Sequence, residues 1–178
     1  MTDIAEAADA AAAGPGNAPE HDAELRSLHT AARLIAVALT VAIVVAFVAG
    51  YGILERPEGL TKMVGVGLIG FAGSGVGALV SLLNRYAAGF ELDDGARSPP
   101  GAEGEVFQRR IAFCFVMRPV LGLLIAPLIV AGVSLFLSRH ETFTNSVDAM
   151  TLASFIGGLY AKSILEAAKN AFKVVFRT

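Results

Sequence analysis

The sequence predicts an all-α polytopic membrane protein: four transmembrane helices followed by a basic amphipathic helical extension. Three observations carry this. Only 17% of the residues are charged and 54% are hydrophobic, whereas soluble domains average about a quarter charged. Most of the charges fill the two ends and one central connection, leaving long neutral runs between them. One of those runs, residues 65–84 (GVGLIGFAGSGVGALVSLLN), carries Gly65, Gly67, Gly70, Gly73, Gly75 and Gly77. In water each glycine costs a helix about 1 kcal/mol relative to alanine. In lipid, small residues let two helix backbones approach closely, so the run is expected to be a packing helix.

Residues 1–30 are rich in Ala, Gly, Pro and acids, with no recurrent apolar face before Leu25. They are expected to form a disordered cytoplasmic tail. A signal peptide is not expected, since the first positive charge is Arg26 and the apolar run follows it. The membrane domain is residues 31–178. Its first span is 34–54, whose 21 residues reach about 31 Å as a helix, matching a hydrocarbon core of about 30 Å. Ala42, Ala46 and Gly50 recur at four-residue spacing, a small face expected to meet the glycine-rich helix. A charged turn with Pro57 and Gly59 closes an antiparallel hairpin.

The second span is 63–83. Gly67, Gly70, Ser74, Gly77, Ser81 and Asn84 alternate three- and four-residue steps along one stripe. Gly73 and Gly77 form a GxxxG pair. The helix-packing residues expected here are therefore Gly67, Gly70, Gly73, Ser74, Gly77 and Ser81. Residues 88–107, with Pro99-Pro100 and a run of acids, are expected to be a disordered cytoplasmic loop. Arg85-Tyr86 and Arg109-Arg110 flank it as interfacial anchors.

The third span is 111–137. Arg118-Pro119 lies near its start and Pro127 near its middle; Pro127 should free the carbonyl of Leu123 and kink the helix. Two positions for Arg118 are open. A helix beginning at Ile111 puts it roughly 10–12 Å deep, as an anion or lipid-headgroup site with Asn84 and Ser81 beside it. Since proline suits the first helical position, a helix beginning at Pro119 leaves Arg118 at the interface instead, and this second arrangement is the favoured one. The fourth span, 147–165, is uncharged only over 149–161; it reaches across if Lys162 snorkels and Asp148 sits at the opposite surface. Asp148, Thr151, Ser154, Gly158 and Lys162 share one face. That face is a helix cap and packing surface, or, in a ring of copies, a pore lining with an acidic mouth. Beyond it, Lys162, Glu166, Lys169, Lys173 and Arg177 alternate with Ala161, Leu165, Ala168, Phe172 and Val175, an amphipathic helix over 162–177 suited to a lipid surface.

Of the 14 Lys and Arg residues, ten (Arg26, Arg33, Arg85, Arg97, Arg109, Arg110, Lys162, Lys169, Lys173 and Arg177) fall on the side shared by both termini and the central loop. Arg56, Lys62 and Arg139 fall on the other. Both termini are therefore expected in the cytoplasm, in what the Ala- and Gly-rich composition suggests is a bacterial plasma membrane. The net charge of −2 argues against nucleic acid as a partner. Cys114 is the only cysteine and His21, His29 and His140 have no ligand-like spacing, so neither metal nor cofactor is expected. Without HExxH, GxSxG, a P-loop or paired carboxylates in the spans, no catalytic residues are expected. Three function classes remain. The foremost is a non-catalytic structural or accessory subunit that receives another membrane protein, or its own copies, on the glycine face. The others are a homo-oligomeric ion or small-solute channel and a membrane-surface adaptor acting through the basic C-terminal helix.

Overall fold

The computed structural model describes residues 18–55, 59–92, 95, 97–99, 105–136 and 146–175, and these are almost wholly helical. Helix α1 (Ala18–Leu54) runs antiparallel to α2 (Gly59–Ala88). A two-stranded hairpin, β1 (Phe90–Glu91) and β2 (Arg97–Ser98), follows. A short 3-10 turn (Arg109–Ile111) then leads into α3 (Ala112–Phe136). Helix α4 (Val147–Leu159) and helix α5 (Ala161–Val175) complete the chain. Among the described residues, three helical stretches, His21–Leu54, Thr61–Ala88 and Arg109–Leu135, are long and apolar enough to cross a membrane; Val147–Leu159 is apolar but shorter.

Helix α2 is the hub. Over its most apolar window 56% of the residues are buried, against 17% in α1 and 33% in α3. Its glycines explain how one helix can be packed on two sides. On one side Gly65 meets Gly50 of α1, so a Cβ on Gly65 would lie 2.9 Å from the Gly50 carbonyl oxygen. Gly75 likewise leaves room for Ile43 of α1, 2.7 Å from its Cβ position. On the other side Gly67, Gly70, Gly73 and Gly77 face α3 and α4. Of the small face Ala42-Ala46-Gly50, Gly50 thus meets Gly65 and Ile69, whereas the predicted stripe is taken up by the chain's own later helices.

Gly70 is where three helices converge. A methyl group there would overlap Ala126 Cβ and lie 2.6 Å from the carbonyl oxygen of Gly122 on α3. A methyl on Gly158 of α4, or on Gly122, would overlap the Gly70 carbonyl oxygen. Such approach is what small residues in apolar helices permit. Proline fits into the same design. Pro127 removes the helical donor for the Leu123 carbonyl, and that oxygen lies 3.1 Å from the Cβ position of Gly67.

Three expectations change. The helix begins at Ala18, so residues 18–30 are ordered helix, not tail; residues 1–17 lie outside the described residues. The cause is the seam Leu25, Leu28, Ala32, Ile35, Leu39, whose three- and four-residue steps carry one apolar face through the polar stretch. Second, the loop 88–107 is not featureless. Its flanks fold into a cap in which Phe90 pairs with Ser98, Glu91 with Arg97, and Phe107 bridges Phe90 in parallel. Gly89 makes the entry at φ +120°, which disfavours any side chain. Phe90, Leu92, Val106, Phe107 and Phe115 are buried there with Leu28 and Leu82. Residues 93–94, 96 and 100–104 lie outside the described residues. Third, α3 runs unbroken through Pro119 from Ala112, so Arg118 stands within the helix and the favoured Pro119 start is not adopted.

Candidate functional site: a basic cleft at the capped end

The last turns of α2 point Ser81, Asn84 and Arg85 toward the start of α3, because residues 74, 77, 81 and 84 share a face. That face carries Gly77, whose missing side chain leaves space for a guanidinium: Arg118 Nη2 lies 3.3 Å from where a Cβ on Gly77 would be. Arg118 Nη1 donates to Ser81 Oγ at 2.9 Å. Two turns deeper, the Ser74 hydroxyl donates to the backbone oxygen of Arg118 at 2.7 Å. Two serines of α2 therefore grip both ends of one α3 residue. Arg118 is half-buried, and its donor meets a hydroxyl, not a carboxylate.

Around it opens a cleft of about 720 Å³. Its polar rim is Ser81, Asn84, Arg85, Glu105, Arg118 and Lys162, and its apolar wall includes Ile111, Cys114, Phe115, Met117 and Leu121. Three cations thus share the cleft with one lining carboxylate. Arg85 is held by Glu105 and by the Val106 carbonyl, to which its Nη1 donates at 3.3 Å. Lys162 arrives from α5 and lies 3.7 Å from Glu166, both largely exposed. Its position follows from the break at Tyr160, whose backbone (φ −95°, ψ 8°) ends α4 while its carbonyl accepts from Ile164 N at 3.0 Å to start α5.

The remaining predicted residues divide. Gly67, Gly70, Gly73 and Ser74 are packing residues between helices of this chain, and Gly158 joins them against Gly70. Arg118, Asn84, Ser81, Arg85 and Lys162 come together in the cleft. Asp148 and Thr151 are not near it: they belong to the first turns of α4, which packs through Met150 against Leu54 and Val66 at the opposite end. Ser146, not Asp148, caps that helix, accepting from Ala149 N at 3.3 Å. The Thr151 hydroxyl is buried without a hydrogen-bond partner among the described residues. Arg109 and Arg110 are exposed in the turn before α3, and Lys169 and Lys173 along α5; Arg177 lies outside the described residues.

Sequence reasoning missed His29 and Glu105. His29 Nδ1 is 2.9 Å from the Tyr86 hydroxyl and its ring packs 4.3 Å, centroid to centroid, from Phe90. This ties α1 to the cap, whose Glu105 lines the cleft. Its signal was available, since His29 adjoins Leu28 and Ala32 on the continued seam. Glu105 gave no such signal, because its role depends on a fold in the loop. No family model matches the chain, and no curated protein or solved structure matches it either.

Proposed function

We propose that this chain is a non-catalytic accessory subunit of a plasma membrane, crossing it four times with both termini in the cytoplasm and working through its basic cytoplasmic end. The observation that carries the reading is the geometry of α5. This helix leaves α4 at Tyr160, beside the cleft, and its residues from Lys162 through Lys173 are exposed. Lys162, Lys169 and Lys173 share its polar side, while Ile164, Leu165 and Phe172 supply apolar contacts. A helix so composed lies in a lipid interface, and each lysine near an anionic leaflet contributes about 1 kcal/mol. The subunit then holds its assembly, of its own copies or of another membrane protein, against the anionic leaflet.

Hydrogen exchange on the protein in lipid nanodiscs tests this. Amides of 162–173 should exchange more slowly in discs containing phosphatidylglycerol than in phosphatidylcholine alone. The variant K169Q/K173Q should lose that difference. Equal exchange in both lipids would remove the surface role of α5.

A homo-oligomeric channel is the second reading, favoured by the buried Thr151 hydroxyl, which has no hydrogen-bond partner among the described residues and lies one turn from Asp148. It requires ion flux from reconstituted protein that Asp148→Asn alters. Absence of such flux leaves the accessory reading alone.

A further inference from the structure

We infer that the Arg118 cleft is a binding site for the phosphate of an anionic phospholipid, with Arg118 and Lys162 as its cations and Asn84 and Ser81 as neutral partners. The inference deepens the proposed function and rests on its membrane orientation, but it concerns a separate set of residues from the outer lysines of α5.

Three features of the cleft select the ligand. The first is charge. Arg85, Arg118 and Lys162 line the cleft with Glu105 as the one lining carboxylate, and Glu105 is paired with Arg85. An anion entering between α2, α3 and α5 therefore meets Arg118 and Lys162, of which, among the described residues, only Lys162 has a carboxylate, Glu166, at 3.7 Å. Guanidinium groups are suited to phosphate oxygens, which they bind through planar paired donors. The second is depth. Arg118 lies eight residues along the chain from Arg110, about 12 Å at helical rise. A cation there is costly in lipid unless it is neutralised or solvated, so a phosphate drawn inward lowers the cost of holding it. The third is the wall. Ile111, Cys114, Met117 and Leu121 continue the cleft along α3, and Cys114 and Met117 face outward. A free phosphate has no use for that surface, whereas glycerol and the first acyl carbons of a lipid do. The chemistry is thus a phosphate anion carried on an apolar chain.

Native mass spectrometry of the intact protein, titrated with short-chain phosphatidylglycerol, phosphatidylcholine or inorganic phosphate, tests the site. The expected result is a retained adduct of one phosphatidylglycerol, with weaker phosphatidylcholine binding and no competition by inorganic phosphate. Loss of a hydrogen bond to a charged group typically costs enough that Lys162→Gln and Arg118→Gln should each weaken the adduct about tenfold. Arg118→Gln also disturbs the contact with Ser81, so Asn84→Leu, at the exposed rim, serves as the variant that leaves the helix packing intact and should weaken the adduct as well. K169Q/K173Q should leave it unchanged, although the same pair should reduce the protection of α5 in anionic discs. Failure of the exchange experiment with the adduct intact would therefore count against the surface role alone. Equal retention of both lipids, or an adduct indifferent to Lys162 and Asn84, would overturn the lipid site. Binding of inorganic phosphate that phosphatidylglycerol does not displace would overturn it in favour of a free-anion site.

Discussion

At the scale of single residues, the same amino acid has opposite meanings at different positions, and space decides which. Gly70 is surrounded by backbone: the Gly122 carbonyl oxygen lies 2.6 Å from its Cβ position, and the Gly158 backbone faces it as well. Backbone cannot turn aside as a long side chain can. Gly70→Ala should therefore separate α2 from α3 or α4 and destabilise the protein by about 1–3 kcal/mol or more, as overpacking does. Gly132, on α3, has nothing within 4 Å of its Cβ position. Gly132→Ala should be neutral or stabilising by up to about 1 kcal/mol, from helix propensity alone. Thermal unfolding of the two variants in one detergent measures the contrast; equal melting temperatures would show that the glycine contacts are not tight. The stripe itself was legible, since Gly67, Gly70, Ser74, Gly77 and Ser81 do lie on one face. What covers that face was not, because spacing reports a surface and not its occupant.

The elements show where polarity misleads. The segment 88–107 has the composition of a loop, yet four of its apolar residues, Phe90, Leu92, Val106 and Phe107, are buried. They are too few and too scattered to give a period, and their partners, Leu28, Leu82 and Phe115, come from three different helices. Only the fold brings them together. Phe107 is the centre of this cap, its ring 5.9 Å from Phe90 and stacked at 6.4 Å on Phe115. Phe107 is fully buried in this cluster, so core substitution costs of the usual size apply to it. Phe107→Ala should destabilise the cap by about 3–5 kcal/mol. Exchange of the amides of Glu91 and Phe107, whose bonds to Phe107 O and Gly89 O are 3.0 and 2.9 Å, should accelerate accordingly. Unchanged exchange there would mean that the hairpin is held by something other than its aromatic core. Helix α4 presents the reverse case. Its brevity was legible from the charge-free run between Asp148 and Lys162, but the break was not, because Tyr160 is a neutral residue whose bridge-region backbone is set by α5 turning toward the cleft.

For the whole molecule, the decisive question is how many times the chain crosses the bilayer, because the cleft and α5 act together on one leaflet only if α4 is a crossing. Thirteen residues span about 20 Å as a helix, less than the roughly 30 Å of hydrocarbon. Yet α4 runs alongside α2 from the level of Val66, beside Met150, to the level of Gly77, beside Leu159. Lys162 then reaches the level of Ser81 and Asn84. The polar ends Asp148 and Lys162 can make up the remaining thickness by reaching to the headgroups. The distribution of Lys and Arg favours the same arrangement. Single cysteines in a Cys114→Ala background, probed in intact cells with an impermeant maleimide, separate the alternatives. Thr61→Cys and Ser146→Cys should be labelled from outside, and Ser98→Cys only after the membrane is opened. Lys169→Cys is the discriminating position: protection until lysis agrees with four crossings and a cytoplasmic α5. Labelling of Lys169→Cys in intact cells, with Ser98→Cys still protected, would make α4 a re-entrant helix. The basic end would then be divided between two leaflets, and neither the surface helix nor the lipid site could work as proposed.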